Sequence, residues 1–192
     1  DMKGNFLPHV SIPPQEEVLA SEAAPTLYLP YTNGETWVVT QAYNGSTHQG
    51  VDYYAIDFTL SGCDAYGKPI LSTAGGTVIY AGGTPENTCG HGGYGLYVKV
   101  DHGGGYVSLY GHNSSLSVSV GQTVCSGTEL AKAGNSGYAC GSACPSHPGT
   151  HLHFRMTLNG YAYKPEPLDG YTGIAVTQWL TSHNGSGCGL VD

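Results

Sequence analysis

The chain of 192 residues carries a formal net charge of −8, with only six Lys plus Arg against fourteen Asp plus Glu. It therefore lacks the basic patch that neutralises phosphates, and nucleic acid is not an expected partner. Hydrophobic residues make up 40% and charged residues 10%, with 30 Gly, 15 Tyr and 11 Pro. That mixture of turn formers and β-forming aromatics disfavours a helical bundle and suits one mainly β domain with a proper core.

Residues 1–25 hold Pro8, Pro13, Pro14 and Pro25 with Glu16, Glu17 and Glu22. Pro14 can open a short helix over Gln15 to Ala23 with acids at its positive end, or the stretch is an N-terminal arm outside the domain expected over 26–192. From Thr26 the pattern turns to strands: Leu27 to Leu29, an Asn33-Gly34 turn, then Thr36 to Ala42. A strand over Tyr53 to Leu60 puts Tyr54, Ile56, Phe58 and Leu60 on one face and Asp57 on the other. Strands follow at Pro69 to Thr73, Gly76 to Ala81, Tyr94 to Asp101 and Tyr106 to Tyr110. In the last of these, alternation sets Val107 and Leu109 on one side and Tyr106, Ser108, Tyr110 and His112 on the other, so His112 is assigned to the polar side.

Val118 to Val124 and Glu129 to Ala133 read as short strands, and the loop from Gly134 to Gly149 leads into Thr-His-Leu-His-Phe-Arg-Met-Thr at 150–157. In this strand Leu152, Phe154 and Met156 face the core, while His151, His153 and Arg155 share the opposite face. Histidines at i and i+2 on a strand stand roughly 6 to 7 Å apart and reach one reaction centre. Asn159-Gly160 signals a hairpin, and the tail beyond it reads as irregular.

Six cysteines without a Cys-x-x-Cys pair point to disulfides and an oxidising compartment rather than to a structural zinc site. Cys140 and Cys144 are close enough to pair locally, although six cysteines allow fifteen connectivities. No run of about 18 apolar residues is present to span a membrane. The chain starts at Asp1 without a signal peptide, as a mature secreted protein or an expressed fragment would.

Seven ordered blocks then carry a resemblance: Thr47-His48-Gln49-Gly50, Tyr54-Ala55-Ile56-Asp57-Phe58, residues 69–78, Gly93 to Val98 with Asp101-His102-Gly103, Leu109-Tyr110-Gly111-His112, Val120 to Val124, and Gly149 to Phe154. Over about residues 28 to 158 the chain resembles the lysostaphin-type, LasA-like and β-lytic zinc metalloendopeptidases, which cut peptide bonds of bacterial peptidoglycan. The resemblance implies an antiparallel β-sheet core with long loops walling a substrate groove. It also implies a secreted, monomeric enzyme with one Zn2+ held by His48, Asp57 and His153, and His112 and His151 as catalytic histidines that do not bind the metal.

The carboxylate has an alternative in Asp52, four residues after His48 rather than nine, and family members differ in this spacing. If one strand runs through both, Asp52 shares parity with Tyr54 and Ile56, which favours Asp57. Two imidazoles and one carboxylate leave a zinc ion cationic, with a position open for water. An imidazole suits either proton transfer of peptide hydrolysis, and the order of His112 and His151 stays open. The histidines at 9, 91, 102, 147 and 183 are read as structural or exposed. Two rival readings are a non-catalytic cell-wall-binding or activator module of the same fold, since some relatives have lost metal ligands, and a secreted carbohydrate-binding β-domain. Whether a glycine-rich bridge or a D-alanyl cross-link is cut is also open.

Overall fold

β-branched and aromatic residues alternating with polar ones, punctuated by glycine, build eleven strands and almost no helix among the described residues. The structure is a computed structural model, and it describes residues 23–89, 92–142, 144–185 and 187. The helix or arm expected over residues 1–25 lies almost wholly outside them. The strands are β1 (Thr36–Gln41), β2 (Ile56–Thr59), β3 (Pro69–Leu71), β4 (Gly76–Gly83), β5 (Leu96–Asp101) and β6 (Tyr106–Leu116). They continue with β7 (Thr123–Val124), β8 (Glu129–Ala133), β9 (Leu152–Leu158), β10 (Tyr161–Tyr163) and β11 (Trp179–Thr181). They form one sheet in the order β11-β1-β2-β9-β6-β5-β4-β7; β10 adds to β9, and β3 joins through β8, which pairs with β6.

Every pair of these strands is antiparallel. One face buries the core: Trp37 and Val39 from β1, Ile56 and Phe58 from β2, Val98 and Val100 from β5, Tyr110 from β6, and Leu152, Phe154 and Met156 from β9. The register aligns these side chains, with Ile56 opposite Phe154 and Phe58 opposite Leu152, and Tyr110 opposite Phe154. Tyr31 stacks on Trp37 at 4.9 Å between ring centroids and donates its hydroxyl proton to the Leu180 carbonyl at 2.9 Å. The hairpin at Asn159-Gly160 forms with both residues at positive φ, 50° and 82°, joining β9 to β10 as that dipeptide predicts.

Several sequence readings are changed by the structure. The stretch read as one strand from Tyr53 begins only at Ile56, because Gly50–Asp52 closes a 3-10 turn; Asp52 is therefore not on the strand. The tail is not irregular, since β10 and β11 form there and β11 pairs with β1. Tyr106, Ser108 and Tyr110 are not on a polar face but buried on the core side. The Tyr110 hydroxyl is satisfied there by Thr73 and Ser108, so a hydroxyl at a strand position does not by itself mark the wet face. Cys140 and Cys144 do not pair with each other: the bridges are Cys63–Cys144 and Cys89–Cys140. Cys188 lies outside the described residues, among which no cysteine is free.

Candidate metal centre

On the face of β2 and β9 opposite the core, Asp57 and His153 are direct cross-strand partners, and Asp57 Oδ1 lies 3.0 Å from His153 Nδ1. The loop after β1 brings in His48, fully buried, whose Nε2 lies 3.1 Å from the same oxygen. One ligand-type atom from each of His48, Asp57 and His153 falls within 4.8 Å of the others. Gln41 Nε2 donates to the second carboxylate oxygen at 3.3 Å.

The outward sides of both rings are committed. His48 Nδ1 lies 2.9 Å from the Ala42 carbonyl, which can only accept, so this nitrogen holds the ring proton. His153 Nε2 faces Asp52 Oδ1 at 3.4 Å. Asp52 accepts the Tyr94 hydroxyl at 2.7 Å and pairs with Arg155, whose Nε is 2.9 Å away without the alignment of a hydrogen bond. Arg155 also lies over the Tyr94 ring. With their outer N–H groups used in this way, the inner ring nitrogens, once deprotonated, present lone pairs to a carboxylate oxygen. That arrangement is repulsive unless protons or a cation lie between, so these residues fit a bound metal ion.

Burial alone would raise the Asp57 carboxyl, but the His151 imidazole and the hydrogen bonds with His153 and His48 hold it well below the usual carboxylate range. Burial would lower His153, yet its bonds to Asp52 and Asp57 push it up to about 9 in the metal-free site. Asp52 is opposed by burial and held low by His153, Tyr94 and Arg155.

His112 and His151 stand beside this set without joining it, their rings 4.6 Å apart between centroids. His112 reaches the site against strand alternation. Gly111 is the residue opposite His153, so regular pleating would turn His112 toward the core. Its left-handed backbone, φ 64°, swings the ring to the site face instead. Its Nδ1 donates to the Ser136 carbonyl at 2.8 Å. Burial, with the neighbouring His151 and His153, pushes His112 down to about 3, which keeps the ring neutral. His151 Nδ1 donates to the Gly149 carbonyl at 2.7 Å, while its Nε2 is 3.8 Å from Asp57 Oδ2, outside the donor set.

A cleft of about 480 Å³ opens over these groups, walled by Gln41, Tyr94, Tyr138 and Cys140. A second lobe of about 280 Å³ continues past Asp57 and His151 toward Leu60 and Gly149. Of the histidines set aside, His102 bridges the Gly75 carbonyl and Ser108, His147 stacks on Tyr66 and His183 contacts Asp169. His9 and His91 lie outside the described residues. Sequence reasoning missed Tyr94, Arg155 and Gln41 as parts of the site; Arg155, on the polar parity beside His153, was the one with a visible signal.

Residues 46–165, more than half of the chain, match the model for peptidase family M23. A lipoprotein NlpD/LppB homolog of Pseudomonas aeruginosa is 36% identical over 76% of this chain and 43% of its own length. The murein hydrolase activator EnvC of Escherichia coli K12 is 45% identical over 41% of this chain and 17% of its own. The chain thus spans less than half the length of these curated relatives. A zinc-containing peptidase from Vibrio cholerae superposes with a TM-score of 0.53 and 24% identity, covering 75% of this chain and 41% of that one, a likeness of fold.

Two outcomes are expected when the metal-free protein is titrated with Co2+, whose absorption reports coordination. Asp57→Ala should weaken binding by more than about 100-fold and Asp52→Asn by only about 10- to 100-fold, since the first removes a donor and the second an outer hydrogen bond; the reverse order would exchange the two roles. The wild-type affinity should also tighten by about tenfold per pH unit as pH rises toward 9 and level off above it. The raised His153 pKa means a proton is held below that pH and must leave when metal binds. An affinity flat between pH 6 and 8 would contradict this.

Proposed function

This chain belongs to peptidase family M23, and on that premise we propose that it is a zinc metalloendopeptidase that hydrolyses peptide bonds in the cross-links of bacterial peptidoglycan. The observation that carries the reading is the convergence of His48, Asp57 and His153 with two further histidines at the same cleft. The set matches a catalytic zinc site of three protein ligands. Zinc, when bound, would supply Lewis-acid polarisation of a carbonyl and water acidic enough to react near neutral pH.

The remaining work belongs to the protein. Asp57 contributes the one anionic donor, and Ala42 and Asp52 fix the tautomers of the donor imidazoles. His112 and His151 each commit Nδ1–H to a carbonyl, leaving each Nε2 free for a proton. Through these two atoms a proton leaves the attacking water and another reaches the leaving amine. The cleft, lined by Tyr94 and Tyr138 among others, would hold an extended peptide across the donor set. The disulfides Cys63–Cys144 and Cys89–Cys140 support secretion into an oxidising compartment.

The names of the curated relatives favour a second reading, in which the chain is a domain that binds wall peptides and activates another hydrolase. The intact donor set argues for catalysis. Metal analysis of the pure protein is expected to find about one zinc per chain, with release of peptide amines from purified sacculi abolished by a chelator and restored by zinc. A protein that holds zinc yet releases nothing from glycine-bridged or directly linked sacculi would establish the activator reading. Separately, His112→Ala and His151→Ala should retain the metal and lose on the order of 10²- to 10⁴-fold in kcat; loss of zinc from either would make that residue a ligand.

A further inference from the structure

Resting on the reading of His112 and His151 as the proton-transferring pair, we propose that segment 134–149 is the positioning element for both rings. Asn87 and the Cys89–Cys140 disulfide hold it to that role. His112 sits on β6 and His151 immediately before β9, and what they share is this segment. His112 Nδ1 donates to Ser136 and His151 Nδ1 to Gly149, while the His151 backbone N–H donates to the Gly134 carbonyl at 3.2 Å. The metal donors use none of these contacts: His48 is held by Ala42 and His153 by Asp52.

Apart from isolated bridges, the described part of the segment has no strand of its own, so the carbonyls are held in place from outside. Ser136 is buried, its hydroxyl donating to the Asn113 carbonyl at 2.7 Å and accepting from Leu96 N–H at 2.8 Å. Loop 84–95 runs alongside. Gly137 N–H donates to Glu86, Thr88 N–H to Gly137, and Tyr138 N–H to Gly93, at 2.7 to 2.9 Å. The Asn87 side-chain amide donates to the Asn135 carbonyl at 2.6 Å and the Ala139 carbonyl at 2.8 Å.

The two loops are so close that a Cβ on Gly137 would lie 2.3 Å from Gly95 N. Within segment 134–149 itself, one on Gly149 would lie 2.5 Å from the Ala139 carbonyl carbon. Cys89–Cys140 ties the same two loops covalently, and Cys63–Cys144 fastens the far end of the segment to residues near Gly62. Reacting groups lose on the order of 100-fold in rate for about 1 Å of misplacement, so freedom in this segment reaches catalysis through both rings at once.

Two variants test this, Asn87→Ala and Cys89→Ala, both outside the lining of either cleft lobe; the second opens the disulfide while leaving the Cys140 side chain in the cleft wall. Each is measured for zinc content, for kcat and KM on soluble cross-linked muropeptides, and for the imidazole Nδ1–H signals in 15N spectra. Both should keep about one zinc and the His48 Nδ1–H signal, lose about tenfold or more in kcat with KM within about threefold, and show the His112 and His151 signals broadened by exchange. Unchanged kcat with sharp His112 and His151 signals would overturn the proposal. So would loss of zinc or of the His48 signal in step with activity, which would mean a general loosening. A wild-type protein that hydrolyses nothing would refute the proposed function alone, and the ring signals would still decide the positioning role.

Discussion

The register between β2 and β9 places a carboxylate opposite an imidazole, and the site is built outward from that pair. Asp57 and His153 meet on one face because Ile56 and Phe58 meet Phe154 and Leu152 on the other. A slip of β2 by one residue would exchange its faces, burying the Asp57 carboxylate in the core and exposing Ile56 and Phe58. The hydrophobic register and the donor geometry are therefore one constraint. The energy that excludes the slip is core burial, of order 1.5 to 3 kcal/mol for each large apolar side chain.

Around that pair the structure separates two tasks. The donor atoms are set by the sheet and by the short connection from β1 through the 3-10 turn, and their outer partners are Ala42 and Asp52. A buried carboxylate among imidazoles is tolerable only with compensating charge. Here Arg155 pairs with Asp52, so Asp57 is left as the anion facing the donor rings. The groups assigned to proton transfer instead take their orientation from a loop held by disulfides and backbone contacts. Under the proposed function, metal binding and proton transfer would depend on different parts of the chain, so variants would separate them.

His112 shows what the site asks of the backbone. A non-glycine residue at φ 64° is uncommon and costs on the order of 1 kcal/mol or more. The surrounding contacts make it acceptable, since the ring proton goes to Ser136 and the following Asn113 donates its amide to the Leu96 and Tyr110 carbonyls. The distortion interrupts the β5–β6 ladder between Leu96 and Val98 and turns toward the cleft a ring that regular pleating would have buried.

Composition and local pattern by themselves determined the mainly β class, the core face of β9 and the hairpin at Asn159-Gly160, because each follows from residues within a few positions of one another. The ordered motif blocks likewise singled out His48, Asp57, His112, His151 and His153. Alternation gave poor grounds for some of these choices. It selected Asp57 over Asp52 by assuming a strand that the 3-10 turn at Gly50–Asp52 interrupts, and it put His112 on a face with Tyr110, which is core. The tertiary structure alone decided that Asp52 stands behind His153 with Tyr94 and Arg155, and that β11 closes on β1 across some 140 residues of chain. It alone decided that Cys140 reaches Cys89 rather than its neighbour Cys144. Alternation is set by the chain's own pleat and is readable locally, whereas left-handed turns, strand partners and disulfides are chosen by what the distant chain brings alongside.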